Sequence, residues 1–320
     1  MSDKQYDKNP VHMTSIGGQA VIEGVMMRGP KEIATAVRKS DGSIVIDKKE
    51  INSFVVKYKL NKIPILRGIF SFVDSLVTGM KCLMFSADQM DLEEDDESYK
   101  PSKFEKWLED KFGDKIKDIA IYFAVVVSIF FSIGLFMLLP NVLAHIVGLF
   151  VKNTILLNLC EGVIRMAIFL TYLGLVSRMK DIQRVFEYHG AEHKTIATYE
   201  SGMELTVENA REHSRLHPRC GTSFLLIVMV VSIIMFSFIR WGVMWKNMLF
   251  RLLLLPVVAG ISYEIIKFAG KSKSKCVAFL TKPGLWLQKI TTREPDDSQI
   301  EVAIASLKAV LTDNKEDDKW

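Results

Sequence analysis

Residues Ile119 to Leu139 read IAIYFAVVVSIFFSIGLFMLL, 21 positions without a charged side chain. A helix needs roughly 20 residues to cross an apolar core of about 30 Å, and buried helices of soluble proteins seldom go so long without a charge. Three further runs follow: Thr154 to Ser177, interrupted by Glu161 and Arg165; Ser223 to Ile239; and Met248 to Phe268, with Arg251 near one end and Glu264 near the other. The expected fold is a mainly α membrane protein. It has about four transmembrane helices, amphipathic interfacial helices and a small N-terminal β-hairpin element on the cytosolic side.

Four spans return the chain to its starting side, and Lys and Arg concentrate in cytoplasmic loops. Lys103, Lys106, Lys111, Lys115 and Lys117 precede the first span. Arg178, Lys180, Arg184, Lys194, Arg211, Arg215 and Arg219 fill the 178–222 connection, and Lys271, Lys273 and Lys275 follow the fourth span. The opposite connections offer mainly Lys152 and Lys246. Both termini and the 178–222 loop are therefore expected in the cytoplasm. Four scattered cysteines without a CxxC pair fit a reducing compartment. The first fifteen residues lack an apolar core, so no cleavable signal peptide is expected. A hydrophobic share of 49% excludes a largely disordered chain. A net charge of +4, with the acidic run 93–97 beside the basic residues, argues against nucleic acid as a partner.

Five segments result. Residues 1–60 form a cytosolic β element, in which Ala34–Lys39 and Ser43–Asp47 flank Ser40-Asp41-Gly42, a hairpin signature. Residues 17–24 offer a third strand; their glycines lack the Gly-Lys-Ser/Thr of a phosphate loop. Residues 61–87 read as an amphipathic helix, lying in the membrane interface or packed on the spans. An acidic linker and cytosolic helix fill 88–117, the four-helix membrane domain 118–270, and a cytosolic helical segment 271–320, with an amphipathic helix at 298–311. A short amphipathic or re-entrant piece is expected at 142–151, after Pro140.

Of six histidines, four lie between 189 and 217. His189 and His193 stand one helical turn apart, so both imidazoles can reach one metal ion. His189-x-x-Glu192-His193 matches the inverted zinc-protease signature, in which two His bind zinc and the Glu works on its water. His213, His217 and Cys220 follow as further donors. A thiolate with imidazoles suits zinc better than magnesium or calcium. Four ligands from His189, His193, His217 and Cys220 would make a closed structural site, and three plus water a catalytic one with Glu192 as base. One geometric objection stands. A straight helix continuing the second span would carry His189 about 18 Å from the membrane edge, while Cys220 adjoins the third span. The halves meet if the helix bends, for which Gly190 is a candidate, tilts along the surface, or starts later than assumed.

Charged residues inside spans are costly and usually paired. Glu161, Arg165 and Glu264 are therefore read as an intramembrane polar set, either neutralised structurally or lining a path. Glu23 and Arg28, flanking Gly24, are a weaker pair of the same kind.

Four strings carry a resemblance: Gly17-Gly-Gln-Ala-Val-Ile-Glu-Gly-Val-Met-Met-Arg-Gly-Pro30, Phe186-Glu-Tyr-His-Gly-Ala-Glu-His-Lys194, His217-Pro-Arg-Cys-Gly-Thr-Ser223, and Pro283-Gly-Leu-Trp-Leu-Gln288 with Thr291-Thr-Arg-Glu-Pro295. From about residue 14 to 311 the chain resembles the YqhQ-like family of bacterial multi-pass membrane proteins of unknown function, described as predicted metal-dependent enzymes. The resemblance implies the bacterial cell membrane as the location. Three functions are open. The first is a zinc hydrolase acting on a membrane-proximal substrate. The second is a carrier, as a homo-oligomer, with an intramembrane polar path. The third is a scaffold that binds a partner protein and is stapled by a structural metal.

Overall fold

The computed structural model describes residues 11–51, 63–90, 116–237, 244–271 and 274–319. The chain divides into two compact units. One comprises Met1–Met90, Leu173–Met235 and Leu249–Trp320, and the other Asp91–Tyr172 and Phe236–Met248.

The first unit is built on an antiparallel sheet in the order β1-β2-β3-β4: β1 Gly17–Val21, β2 Gly24–Arg28, β3 Glu32–Arg38 and β4 Ile44–Glu50. The expected hairpin is β3–β4, with Val37 opposite Val45. Its turn is held by Gly42 at φ 84 and by the Asp41 carboxylate, which accepts the Ser43 N–H at 2.8 Å. The sheet is larger than that hairpin, because residues 17–28 supply two strands. Ile22-Glu23 joins them, with Glu23 at φ 49. A glutamate there carries no turn signature. Its ion pair with Arg184 and the hydrogen bond from the Tyr188 hydroxyl at 3.1 Å supply a tertiary tie at this left-handed residue.

Alternation along the strands sends side chains to two faces. Val25, Met27, Ala34 and Ala36 join a core with Tyr188, Ala191 and Ile196 of α5 (Lys180–Glu200) and Ile300, Ala303 and Leu307 of α10 (Asp297–Val310). On the other face Val21, Met26 and Val37 meet Cys82 of α1 (Leu66–Gln89). The sheet is thus sandwiched between α1 and the α5/α10 pair. Alanines at 34 and 36 let α10 come close: the Ser306 hydroxyl donates to the Ala34 carbonyl at 3.0 Å. Helix α10 lies where amphipathic periodicity expects it. Asp296 and Gln299 start it with a reciprocal capping box.

The other helices are apolar. α2 (Ile116–Ile133) runs through a π-helical turn, Gly134–Leu138, into α3 (Leu139–Val147). Pro140 therefore does not split off a separate 142–151 piece, since the wider turn accommodates the missing N–H near the start of α3. α4 (Thr154–Val176), α7 (Gly221–Ser237), α8 (Met244–Lys271) and α9 (Lys275–Thr291) follow, with the short α6 (Val207–Glu212) between α5 and α7. Among the described residues, four helices are long and apolar enough to cross a membrane: Leu66–Gln89, Phe123–Val147, Ile155–Val176 and Leu249–Ala269. This set differs from the expected one. It includes α1, read from sequence as amphipathic, whereas α7 is described for 17 residues. The expected linker and helix at 88–117 lie largely outside the described residues.

In the second unit, Phe136 meets Tyr172 edge-on at 5.4 Å. The guanidinium of Arg165 sits 5.8 Å from the Phe236 ring.

Candidate metal centre

Helix α5 is polar in sequence yet buried nearly all round in its C-terminal half, from Gly190 to Glu200. Burying Glu, His and Lys there is costly unless each is paired or ligating. The chain reaches this position because α4 and α5 are separate helices. α4 stops at Val176, Met179 is extended (φ −71, ψ 134), and α5 restarts at Lys180. That break answers the geometric objection. Gly190 is not the bend. A side chain there would overlap the Arg293 carbonyl oxygen, so this glycine admits the strap of residues 291–295 against the helix. The Arg293 N–H donates to the Phe186 carbonyl at 2.9 Å.

Ligand atoms of His189, His193 and Cys220 lie within 4.8 Å of one another. The strap fixes one imidazole, as His189 Nδ1 donates to the Thr291 carbonyl at 2.8 Å. The loop before Cys220 fixes the other, with His193 Nδ1 donating to the Arg215 carbonyl at 2.6 Å. A carbonyl only accepts, so both Nδ1 atoms carry protons and each ring turns its Nε2 inward, the atom that ligates a metal once it has no proton. His193 Nε2 is buried and makes no hydrogen bond. His189 Nε2 lies 3.2 Å from Cys220 Sγ. Cys220 immediately precedes α7, and its sulfur receives the Thr222 N–H at 3.4 Å. Two oriented imidazoles, a sulfur at a helix N-terminus and an orphaned buried nitrogen fit a thiophilic divalent ion.

The electrostatics agree. Burial alone pushes the Cys220 thiol up, but the His193 and His189 imidazoles reverse this and hold it well below the ordinary thiol range. Burial works against charge on His189, yet the adjacent sulfur outweighs it and lifts the ring to about 9. Burial raises the Glu192 carboxyl above its usual range, against the pull of His193 and His189.

Glu192 is itself buried beside these rings, and its Oε1 accepts the Gly18 N–H at 2.9 Å. A Cβ on Gly18 would stand 2.5 Å from the Met26 carbonyl and 3.0 Å from the Glu192 carboxylate. His217 lies next to the group, its ring centroid 5.6 Å from that of His193. Its Nε2 is 3.4 Å from Glu200 Oε2, and Arg219 pairs with the same carboxylate. His213 is 3.2 Å from the Ser201 hydroxyl.

The polar residues read from sequence as an intramembrane set pair within their own units. Arg165 meets Glu161 at 2.9 Å within α4, and Glu264 of α8 accepts from Arg67 Nε of α1 at 2.7 Å. Glu23 and Arg28 do not pair with each other: Glu23 binds Arg184, and Arg28 binds Asp74 at 2.6 Å.

Several residues that build the centre escaped the sequence reading. Gln288 clamps the backbone of His217, accepting its N–H and donating to its carbonyl, both at 2.8 Å. Gly18, Gln288, Thr291 and Arg293 all fall inside the strings that carried the family resemblance, which was the one signal able to find them.

A family profile described as "Protein of unknown function (DUF1385)" matches residues 63–313. The uncharacterized protein YqhQ of Bacillus subtilis (strain 168) is 37% identical over 301 residues, covering 92% of each chain. No solved structure matches.

Proposed function

The chain belongs to the DUF1385 family of unknown function, and we propose that it is a multi-pass bacterial cell-membrane protein and a metal-dependent hydrolase, with one zinc ion on His189, His193 and Cys220. The observation that carries this reading is the buried, unpartnered Nε2 of His193 beside a second oriented imidazole and an acidified thiol. The Lys and Arg excess in 103–117, 178–222 and 271–275 supports a cytosolic module and cytosolic termini.

Three protein ligands, His189, His193 and Cys220, would leave a bound zinc ion open to water or substrate. A bound zinc ion supplies Lewis acidity and brings the pKa of water down to about 7. Glu192 is the group able to take that proton. Its desolvated carboxyl is a stronger base than an exposed one, and the Gly18 N–H fixes its orientation. The Thr291 and Arg215 carbonyls keep the ligand rings in register. The substrate is a membrane-proximal peptide or lipid-linked molecule.

A second reading has its own support. α5, the loop through Arg215 to Cys220, and the 291–295 strap converge on the three ligands, as on a structural staple. Cobalt substitution separates the two. The hydrolase reading expects a thiolate-to-cobalt band that Cys220→Ser abolishes and that acetohydroxamate perturbs through the open position. A band insensitive to hydroxamate favours the staple, and its absence from folded, cobalt-treated protein removes the metal site itself.

A further inference from the structure

Residues 11–51, 180–220 and 297–310 contribute to one buried core: Met27 and Ala36, Tyr188 and Ala191, Ile300 and Leu307 pack together. Segments sharing a core lie on one side of a membrane, so the chain crosses an even number of times between any two of them. Between the sheet and α5, however, three helices among the described residues are long and apolar enough to cross: Leu66–Gln89, Phe123–Val147 and Ile155–Val176. The intervening sequences cannot supply a fourth crossing. Residues 52–62 number eleven, and 15 of the 25 residues in 91–115 are charged. One of the three helices therefore does not cross.

The contacts of α1 identify it. From Asp74 onward it lies on the sheet: Asp74 pairs with Arg28, Gly79 admits the Gln19 side chain, and Cys82 is buried against Val21, Met26 and Val37. That sheet carries exposed charges on Lys48, Lys49 and Glu50, which a crossing α1 would draw into the bilayer. The N-terminal part touches the start of α7 and the C-terminal half of α8. Phe72 meets Phe224, four residues past Cys220, at a ring distance of 6.0 Å. A Cβ on Gly68 would stand 2.9 Å from Gly260 Cα, and Arg67 pairs with Glu264, seven residues before the end of α8. Close approach at paired glycines is the packing expected of helices in lipid. Both ends of α1 thus lie on one side. Its remaining face presents Val73, Leu76, Val77, Met80, Leu83 and Met84, each at least a third exposed.

We infer that α1 is an in-plane helix whose exposed apolar stripe is seated in the lipid leaflet on the side of the metal centre. The occupant is lipid because exposed Phe72, which meets Phe224, joins this stripe to the exposed Leu225 of apolar α7. The inference rests on the proposed reading of α4, α7 and α8 as spans. It also ties the bilayer to the site: β1 places Gln19 on α1 and the adjacent Gly18 on Glu192. A substrate drawn from the membrane surface therefore arrives beside the catalytic carboxylate.

The experiment uses full-length protein with Cys82, Cys160 and Cys276 replaced by Ala. Single cysteines are added at Ile63, Leu76, Asp88, Lys152 or Arg178 and labelled by a membrane-impermeant maleimide in sealed vesicles of either orientation. Ile63→Cys and Asp88→Cys should react from the same face as Arg178→Cys, Lys152→Cys from the opposite face, and Leu76→Cys from neither. Labelling of the Ile63 and Asp88 variants from opposite faces overturns the in-plane helix. Ready labelling of Leu76→Cys overturns its lipid seat and favours a protein or solvent on that face. If Lys152→Cys and Arg178→Cys react from one face, α4 is not a span and the underlying membrane reading fails instead.

Discussion

Gly18 positions Glu192: the glycine N–H in β1 donates to the carboxylate Oε1 at 2.9 Å, across 174 residues of sequence. Glu192→Gln keeps an acceptor for that N–H, so it should fold and hold metal like wild type while losing the base. Glu192→Ala leaves a buried N–H unpaired and should cost about 1–3 kcal/mol. Thermal unfolding in detergent checks the order: Glu192→Ala melts below Glu192→Gln.

At Gly190 any side chain collides with the Arg293 carbonyl, which lifts the strap carrying the Thr291 acceptor of His189. Gly190→Ala should therefore weaken metal affinity, by roughly 10–100-fold as for other losses of ligand-orienting partners. A competitive zinc-chelator titration measures it. Unchanged affinity means that the strap does not orient the ligand.

Arg67 and Glu264 tie α1 to α8 while each is about a quarter exposed. Removing one partner strands the other charge, whereas removing both does not. Arg67→Leu alone should lower the melting temperature more than Arg67→Leu combined with Glu264→Leu. Additive losses would count against the pair.

Asp296 caps α10, and although burial raises its carboxyl, hydrogen bonds from Ser298 and Gln299 hold it below its ordinary range. A depressed folded pKa contributes stability above the unfolded value of about 3.9, lost as pH falls through the lower folded value. Asp296→Ala should cost about 0.5–2 kcal/mol at neutral pH. The charge-linked part of that difference from wild type should fade below about pH 3.9. Chemical unfolding at two pH values tests the sign.

Periodic and local features were legible in the sequence. Asp41-Gly42 announced the β3–β4 hairpin, the apolar period of 298–311 announced α10, and His189/His193 spacing with a nearby thiol announced the metal cluster. What escaped was set by contacts distant in sequence. The Ile22-Glu23 turn has no turn residues and is tied to Arg184. Gly190 resembles a bend until Arg293 is seen against it. The amphipathic period of 61–87 announced α1, but not that the sheet packs against Cys82 on it. His217 shares the spacing of a ligand, yet its Nε2 lies beside Glu200 and Arg219.

The most direct measurement is metal content per chain, by mass spectrometry, on protein purified without chelators. Wild type and Glu192→Gln should each carry one zinc per chain, and His193→Ala and Cys220→Ala, folded by circular dichroism, should carry none. Well-folded wild type without metal, or undiminished metal in His193→Ala, would contradict the account.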